Sequence, residues 1–585
     1  MTLCSLQTAA SPQREVLCST GDDRSFMEDP HVPMPPRLLA VALGDEPADI
    51  AFRNARLFNP FTCEWMETGF AVSEGYIAGL GDYAGRETHD LKEQRVVPGL
   101  IDAHVHIESS LLTPAGYARV VSAHGTTTVV ADPHEIANVC GTAGLDYMLA
   151  EREGLPVDIF YMLPSCVPSI PDDPGGTVLT AGDLAAYRGR SGILGLAEMM
   201  NVPGLLQGDP EVWEKLGLCQ LIDGHAPLVS GRPLNACAAA GVQSDHESTS
   251  LAEAKEKLEL GWYIFLREGS TERNLAALAP LATPCRASRM SFATDDRHAD
   301  RLWKEGHIDD CIRAGISAGL EPELAIRMAT LSPAERFRLY DRGALAPGRL
   351  ADFCLLSEDG SFSVARTFKR GFPADTYPAR ASACLRVPIA ASVPDVSSLA
   401  IRGSGAARVI GLVPGQILTS ALEYRVDGQQ LPDLDRDILK AVVCSRYEPL
   451  PPAVGLVHGF GLRDGAIATS VSHDAHNIVA VGAADSAIRD AIAAVVKTGG
   501  GMAVADRDGT GTLPLECAGL MSALPAGEVS AMLDSLNGRA ARLGSIGDPF
   551  MYLSFLALPV IPCLRLTARG LYDVDAPGRV DLFTP

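Results

Sequence analysis

The sequence has no C-x-x-C pair among its 14 cysteines, no apolar run of 18 residues and no surplus of positive charge. Scattered cysteines without paired spacing exclude a zinc ribbon and a thioredoxin-like motif, and fit buried free thiols in a reducing compartment. Without a long apolar run no membrane helix is expected. Residues 1–46 carry acidic residues and proline clusters but no apolar core of the signal-peptide kind, and read as a flexible N-terminal extension. The balance of 49 Lys+Arg against 72 Asp+Glu gives a net charge of −23. That charge repels phosphate backbones and anionic lipid, so neither nucleic acid nor a membrane is expected as a partner. A neutral base or nucleoside remains open as a ligand. There is no internal repeat and no low-complexity tract, and the glycine-rich KTGGGMAV stretch lacks the phosphate-loop pattern.

What is present is a globular composition, 47% hydrophobic and 21% charged, over 585 residues. That length suggests about four domains, or fewer if one is a large barrel. A chain this long buries about 75% of its unfolded surface and needs no disulfide staples.

Residues 49–81 alternate apolar and polar positions between Asn, Pro and Gly breaks, which predicts β-hairpins. RVVPGLIDAHVHI follows as an apolar strand ending in ionisable residues. Seven further short runs, most of them ending in charged or polar residues, occupy 126–132, 158–165, 192–198, 219–225, 241–246, 262–268 and 290–295. The sixth strand of the set is barely apolar. Helix-compatible segments separate several of them. Eight buried strands alternating with helices over about 250 residues predict an α/β fold, a (β/α)8 TIM-type barrel with its active site at the C-terminal strand ends. The expected division is 1–46 as the extension, 47–95 with 343–388 as a composite small β-domain, 96–342 as the barrel and 389–585 as a separate C-terminal α+β domain.

The strand ends carry the chemistry. His104 and His106 are two apart on the first strand, so both face one side. Glu198 closes the fourth strand, His225 the fifth, His246 the sixth and Asp295 the eighth. Four histidines and two carboxylates converging on one mouth suit a pair of divalent metals. A bridging carboxylate can hold two cations close enough to share one hydroxide. Adjacent carboxylates on a strand face opposite ways, so only one of Asp295 and Asp296 is expected to point inward, and Asp295 is the choice.

PGLIDAHVHIESS, TTTVVADPHEIANV, GLAEMM, DGHAP, DHES, REGS and TDDR, with SHDAHN near the C-terminus, resemble the adenine deaminase family of the amidohydrolase superfamily. The resemblance runs from about residue 50 to the C-terminus. It implies a hydrolase acting on C–N bonds of cyclic amidines, which converts adenine to hypoxanthine and ammonia in purine salvage by a metal-activated hydroxide. It implies two divalent metals, Mn2+ or Fe2+ with Zn2+ as an alternative. The first is held by His104, His106 and Asp295, the second by His225 and His246, with Glu198 bridging. Related enzymes bridge with a carboxylated lysine, but strand four ends here in Glu198 with no lysine. A cytoplasmic homo-oligomer, a dimer by preference, is expected. The competing expectation is another binuclear amidohydrolase acting on a cyclic amide or a different aminopurine.

Deamination needs a hydroxide near neutral pH, which metal coordination supplies by lowering the pKa of water from 15.7 to about 7. Asp295 is the expected base and could pass the proton to the leaving amino group, a role worth about 10²–10⁴-fold. The acid for ring N1 is sought among Asp132, His134, Glu135 and Glu268, with Asp132 favoured. Ser109 is expected either to cap the next helix or to line the purine pocket. His473 and His476 are read as part of a loop closing over it.

Overall fold

The first strands of the chain are held together by local pattern. In β1 (Ala48–Asn59) Ile50, Phe52, Ala55 and Leu57 are buried, and the hairpin with β2 (Glu64–Ser73) stacks Phe52 on Phe70 at 4.8 Å. The structure, a computed structural model, describes residues 35–584 apart from 171, 172, 174, 359–361 and 427–430. The sheet continues through β3 (Tyr76–Leu80), β4 (Gly85–Asp90) and β5 (Arg95–Pro98). Most of the N-terminal extension lies outside the described residues, but its last part differs from expectation. Pro36–Leu43 is a helix whose Leu38 and Val41 pack on Ala48, Ala71 and Ala78 of this sheet.

Eight parallel strands follow: β6 (Leu100–Val105), β7 (Thr126–Ala131), β8 (Asp158–Leu163), β9 (Ile193–Met199), β10 (Ile222–Gly224), β11 (Ser244–Asp245), β12 (Tyr263–Arg267) and β13 (Met290–Ala293). They form runs β10-β9-β8-β7-β6 and β11-β12-β13. Two seams close the ring. The amide of Gln243 donates to Ile222 O at 3.1 Å, and that of Asp295 to His104 O at 3.0 Å. The core is therefore a TIM-like barrel. Its sixth strand is two residues long, in keeping with its weak apolar signal. Helices between the strands begin at sequence-encoded caps, such as the Thr180–Asp183 capping box and the Ser250 side chain that accepts the Glu253 amide.

Strands β14 (Phe353–Leu356), β15 (Val364–Lys369) and β16 (Phe372–Pro373) return to the first sheet, β14 pairing with β5. This sheet closes the barrel floor. Gly99 makes the crossing between sheet and barrel, where a Cβ would lie 2.2 Å from Thr127 Oγ1. Beneath the strands, buried Lys369 donates to Asp158 and Asp352, each at 2.7 Å, and Arg342 donates to Asp158 at 2.7 Å.

The C-terminal sheet comprises β17 (Gly405–Leu412), β18 (Thr419–Val426), β19 (Ile438–Cys444), β20 (Ala453–His458), β21 (Ala466–Thr469), β22 (Ile478–Gly482), β23 (Gly501–Asp506) and β24 (Gly509–Pro514), in the order β18-β17-β20-β19-β22-β21-β23-β24. Leu439, Ile467, Val504 and Leu553 of this part of the chain share one apolar core with Val105, Ile107, Tyr117 and Val129 of the barrel side. The described cysteines are free thiols, and no helix among the described residues is long and apolar enough to cross a membrane.

Removing Lys369 leaves two buried carboxylates short of a partner. Lys369→Ala is expected to cost about 3 kcal/mol, read as a lower urea midpoint with unchanged slope. An unchanged midpoint would contradict this role for the ion pair.

Candidate active site

The strand ends converge as alternation dictates. His104 and His106 approach each other at 3.2 Å between Nε2 atoms, and His104 stacks on His246 with ring centroids 4.2 Å apart. Glu198 lies in the middle. Its Oε1 is 3.4 Å from His106 Nε2, while its Oε2 is 2.9 Å from His225 Nδ1 and 3.1 Å from His246 Nε2. Asp295 Oδ1 lies 3.5 Å from His104 Nε2 and 3.2 Å from His106 Nε2. Its other oxygen accepts from Arg267 Nη1 at 2.7 Å. The six expected residues thus share one cluster, all buried but half-buried His225, with donor atoms of His104, Glu198 and His246, and of His104, His106 and Asp295, within 4.8 Å of one another.

The electrostatics keep the carboxylates charged. Burial would raise Glu198, but hydrogen bonds from His106, His225 and His246 hold it well below the usual carboxylate range. Burial likewise opposes Asp295, which Arg267, His104 and His106 hold down. His246 is pushed up to about 9 against the effect of burial, chiefly by Glu198.

These donors fit divalent cations. The ring nitrogen Nδ1 of His106 is 3.1 Å from the Asp132 carbonyl, which can only accept, so Nδ1 carries a proton, and Nε2, which faces Glu198 and Asp295, is the nitrogen that would give up its proton to ligate a cation. His225 Nε2 is buried without a partner among the described residues. An imidazole and carboxylate set of this kind is that of Zn, Mn or Fe.

Asp295 and Asp296 both line the cavity, which corrects the expectation of one inward carboxylate. The reason is in the backbone: Asp295 has φ +54°, a left-handed conformation that breaks strand alternation and that aspartate tolerates better than most residues. Three other expectations are corrected. Glu268 does not line the cavity and pairs with Arg273 at 3.2 Å, because alternation along β12 turns Arg267 inward instead. Ser109 sits in a short 3-10 turn and donates to Asp296 Oδ1, one layer behind the cavity. Asp132, favoured as the acid, also lies behind it: it accepts the His134 amide at 3.1 Å and faces His134 Nδ1 at 3.0 Å, so it orients that ring.

His134, Glu135 and His473 do line the cavity. Glu135 joins barrel and C-terminal domain, one oxygen meeting His473 Nδ1 and the other His476 Nε2. His476 itself stays behind the cavity wall. His473 stacks on Phe555 at 4.6 Å, and Ile417, Phe555, Leu558 and Ile561 complete an apolar wall. Sequence reasoning missed that wall, together with Arg267, Glu247, Glu272 and Asp474. Arg267 and Glu247 had a legible signal, each being next to a residue already singled out at a strand end. The wall had none, since its residues lie from 124 (Ile417) to 268 (Ile561) positions beyond the end of the barrel's last strand at Ala293.

Residues 95–226 and 272–373 match the amidohydrolase family, and residues 416–577 match the adenine deaminase C-terminal domain. The first match sets the class, a hydrolase of the amidohydrolase type. Relatives extend over most of the chain. Adenine deaminase of Methanoregula boonei is 58% identical over 553 residues, covering 94% of this chain and 99% of that one. Adenine deaminase of Methanoculleus marisnigri is 61% identical over 514 residues, covering 88% and 99%. The chain belongs to the adenine deaminase family. N-acetyl-D-glucosamine-6-phosphate deacetylase of Mycobacterium smegmatis is 16% identical with a TM-score of 0.41, covering 55% of this chain and 99% of that one, a likeness too slight to argue from.

The contact of His473 with Glu135 ties the C-terminal domain to the cavity. His473→Ala is expected to lower kcat/KM for the substrate by about tenfold or more, as loss of a buried charge-assisted hydrogen bond does, with metal content by elemental analysis unchanged. Activity within twofold of the parent would contradict a functional role for the contact.

Proposed function

We propose that this protein is an adenine deaminase that hydrolyses the exocyclic amino group of adenine, giving hypoxanthine and ammonia in purine salvage. The observation that carries the reading is the cluster of buried His104, His106, His246, Glu198 and Asp295 with half-buried His225 at the barrel mouth, in a chain of this family. His104, His106 and Asp295 would hold one divalent cation and His225 and His246 a second, with Glu198 between them; Mn2+ or Fe2+ is the assignment we favour. Such a pair, when bound, supplies Lewis-acid chemistry and water activation near neutral pH.

The chain's own residues do the rest. Asp295, held by Arg267 through Oδ2, keeps Oδ1 toward His104 and His106 and is placed to take a proton from water and return it to the leaving amino nitrogen. Of the four groups considered for N1, His134 and Glu135 face the cavity. His134 is held between Asp132, Glu135, Glu198 and Asp474 at 3.0–3.6 Å, so its ring orientation is set from several sides. The wall of Ile417, Phe555, Leu558 and Ile561 excludes water and offers apolar surface to a flat, neutral ring. We also propose that residues 47–95 with 343–388, 96–342 and 389–585 are the domains of the chain, and that it acts as a cytoplasmic dimer.

The test is loss of adenine absorbance with stoichiometric ammonia release, using chelator-treated protein reconstituted with Mn2+. Turnover requiring added metal is expected. Inert adenine alongside cleavage of a hydantoin would contradict the reading. His104→Ala is expected to lower kcat at least 10³-fold and reduce bound metal below one per chain, since it removes a ligand to the site that activates water. Activity kept within tenfold would contradict the assignment.

A further inference from the structure

The two seams of the barrel are built differently. Where β6 meets β13 the backbone itself closes the mouth: the Asp295 amide donates to His104 O at 3.0 Å, and the His106 amide to Asp295 O at 3.3 Å. His104, His106 and Asp295 therefore stand on paired backbone. His225 and His246 flank the other seam, just past the ends of β10 and β11, strands only three and two residues long. Among the described residues one backbone hydrogen bond crosses that seam, from the Gln243 amide to Ile222 O, and it lies at the end away from the histidines.

Side chains close this seam at the mouth. Lys257, on the helix Leu251–Glu259, is fully buried. Its Nζ donates to Ala226 O at 2.7 Å, next to His225, and to Asp245 Oδ2 at 2.9 Å, next to His246. Further bonds run to Ser248 Oγ at 3.0 Å and Glu253 Oε1 at 2.9 Å. Asp245 crosses the same gap: Oδ1 accepts the Ala226 amide at 3.0 Å, while Oδ2 accepts the Ser248 amide at 2.8 Å. Glu253 Oε1 also accepts the Leu228 amide at 2.8 Å. Nothing in the chemistry above uses Lys257, Asp245 or Glu253, and none of them lines the cavity.

Buried donors and acceptors hold to one another, because leaving one unpaired costs its full desolvation. Lys257 and Asp245 each bond to the loop that carries His225 and to the loop that carries His246, so the loops cannot part without breaking both. The rings of His225 and His246 have centroids 5.4 Å apart. Two ligands of one cation need their spacing held to within about 0.5 Å. Elsewhere in the barrel a strand ladder provides that; here the hydrogen bonds of Lys257 and Asp245 do.

We propose that Lys257 is the positioning residue of the second cation site, clamping the His225 and His246 loops together across the seam. The proposal rests on the two-cation reading of the mouth. It assigns Lys257 to that site alone, since His104, His106 and Asp295 are held by their own backbone.

The test is Mn2+ binding by equilibrium dialysis and elemental analysis for the parent, Lys257→Met and Lys369→Met, with anomalous scattering from crystals to tell which site is filled. Methionine keeps an unbranched stem and removes the donor. In Lys257→Met the second cation is expected to bind about 10–100-fold more weakly, with the peak beside His104, His106 and Asp295 retained. Lys369→Met, which breaks a buried ion pair at the barrel floor, is expected to keep both cations. A parent that holds fewer than two cations contradicts the two-cation reading, and the proposal falls with it. With two in the parent, the proposal alone is overturned by parent-like binding in Lys257→Met, by equal weakening of its two sites, or by the same loss in Lys369→Met. If Lys257→Met does not fold, Glu253→Ala removes an acceptor shared by Lys257 and the Leu228 amide. It is expected to weaken the second cation alone by about threefold; no weakening, or equal weakening of both, would overturn the proposal.

Discussion

Three imidazoles meet a single buried carboxylate at Glu198, and most of what surrounds it serves to hold that meeting in place. A carboxylate so enclosed is costly unless compensated. Protein groups compensate it in part. Further carboxylates from Glu135, Glu247, Asp295, Asp296 and Asp474 line the same cavity, against one guanidinium, that of Arg267. Divalent cations would restore the balance, and the imidazole nitrogens that His104 and His106 turn toward Asp295 are suited to receive them.

The fold supplies the precision. Parallel strands present side chains at i and i+2 to the same face, so His104 and His106 arrive together. The seam between β6 and β13 then brings Asp295 to them through backbone hydrogen bonds. The sheet beneath the barrel anchors the opposite ends of the strands through Lys369, Asp158 and Asp352. The C-terminal domain reaches the mouth through His473, which meets Glu135 of the barrel, and through Phe555, so the cavity is completed by residues from both halves of the chain. A catalytic centre in the first half and its apolar wall in the second explain why the two share one core.

Much of the site was legible in the sequence because buried strands announce themselves as short apolar runs, and each of the informative ones ended on a residue able to bind metal. Asp296 was misjudged because alternation assumes an extended backbone, and Asp295 leaves it at φ +54°. Glu268 was misjudged by one position of the same alternation, Arg267 being the inward residue. Asp132 and Ser109 were recognised as relevant, but the sequence holds no information on depth, and both act from behind, on His134 and Asp296. The partnership of Glu135 with His473 and His476 spans more than 330 residues, and no local pattern encodes it.

The proposed two-metal centre around Glu198 is tested most directly by anomalous X-ray scattering from crystals of the Mn2+-loaded protein. The expected map has two peaks about 3.5–4 Å apart, one beside His104, His106 and Asp295, the other beside His225 and His246, with Glu198 touching both. A single peak, or peaks at Glu135, His473 and His476 with none at Glu198, would contradict it.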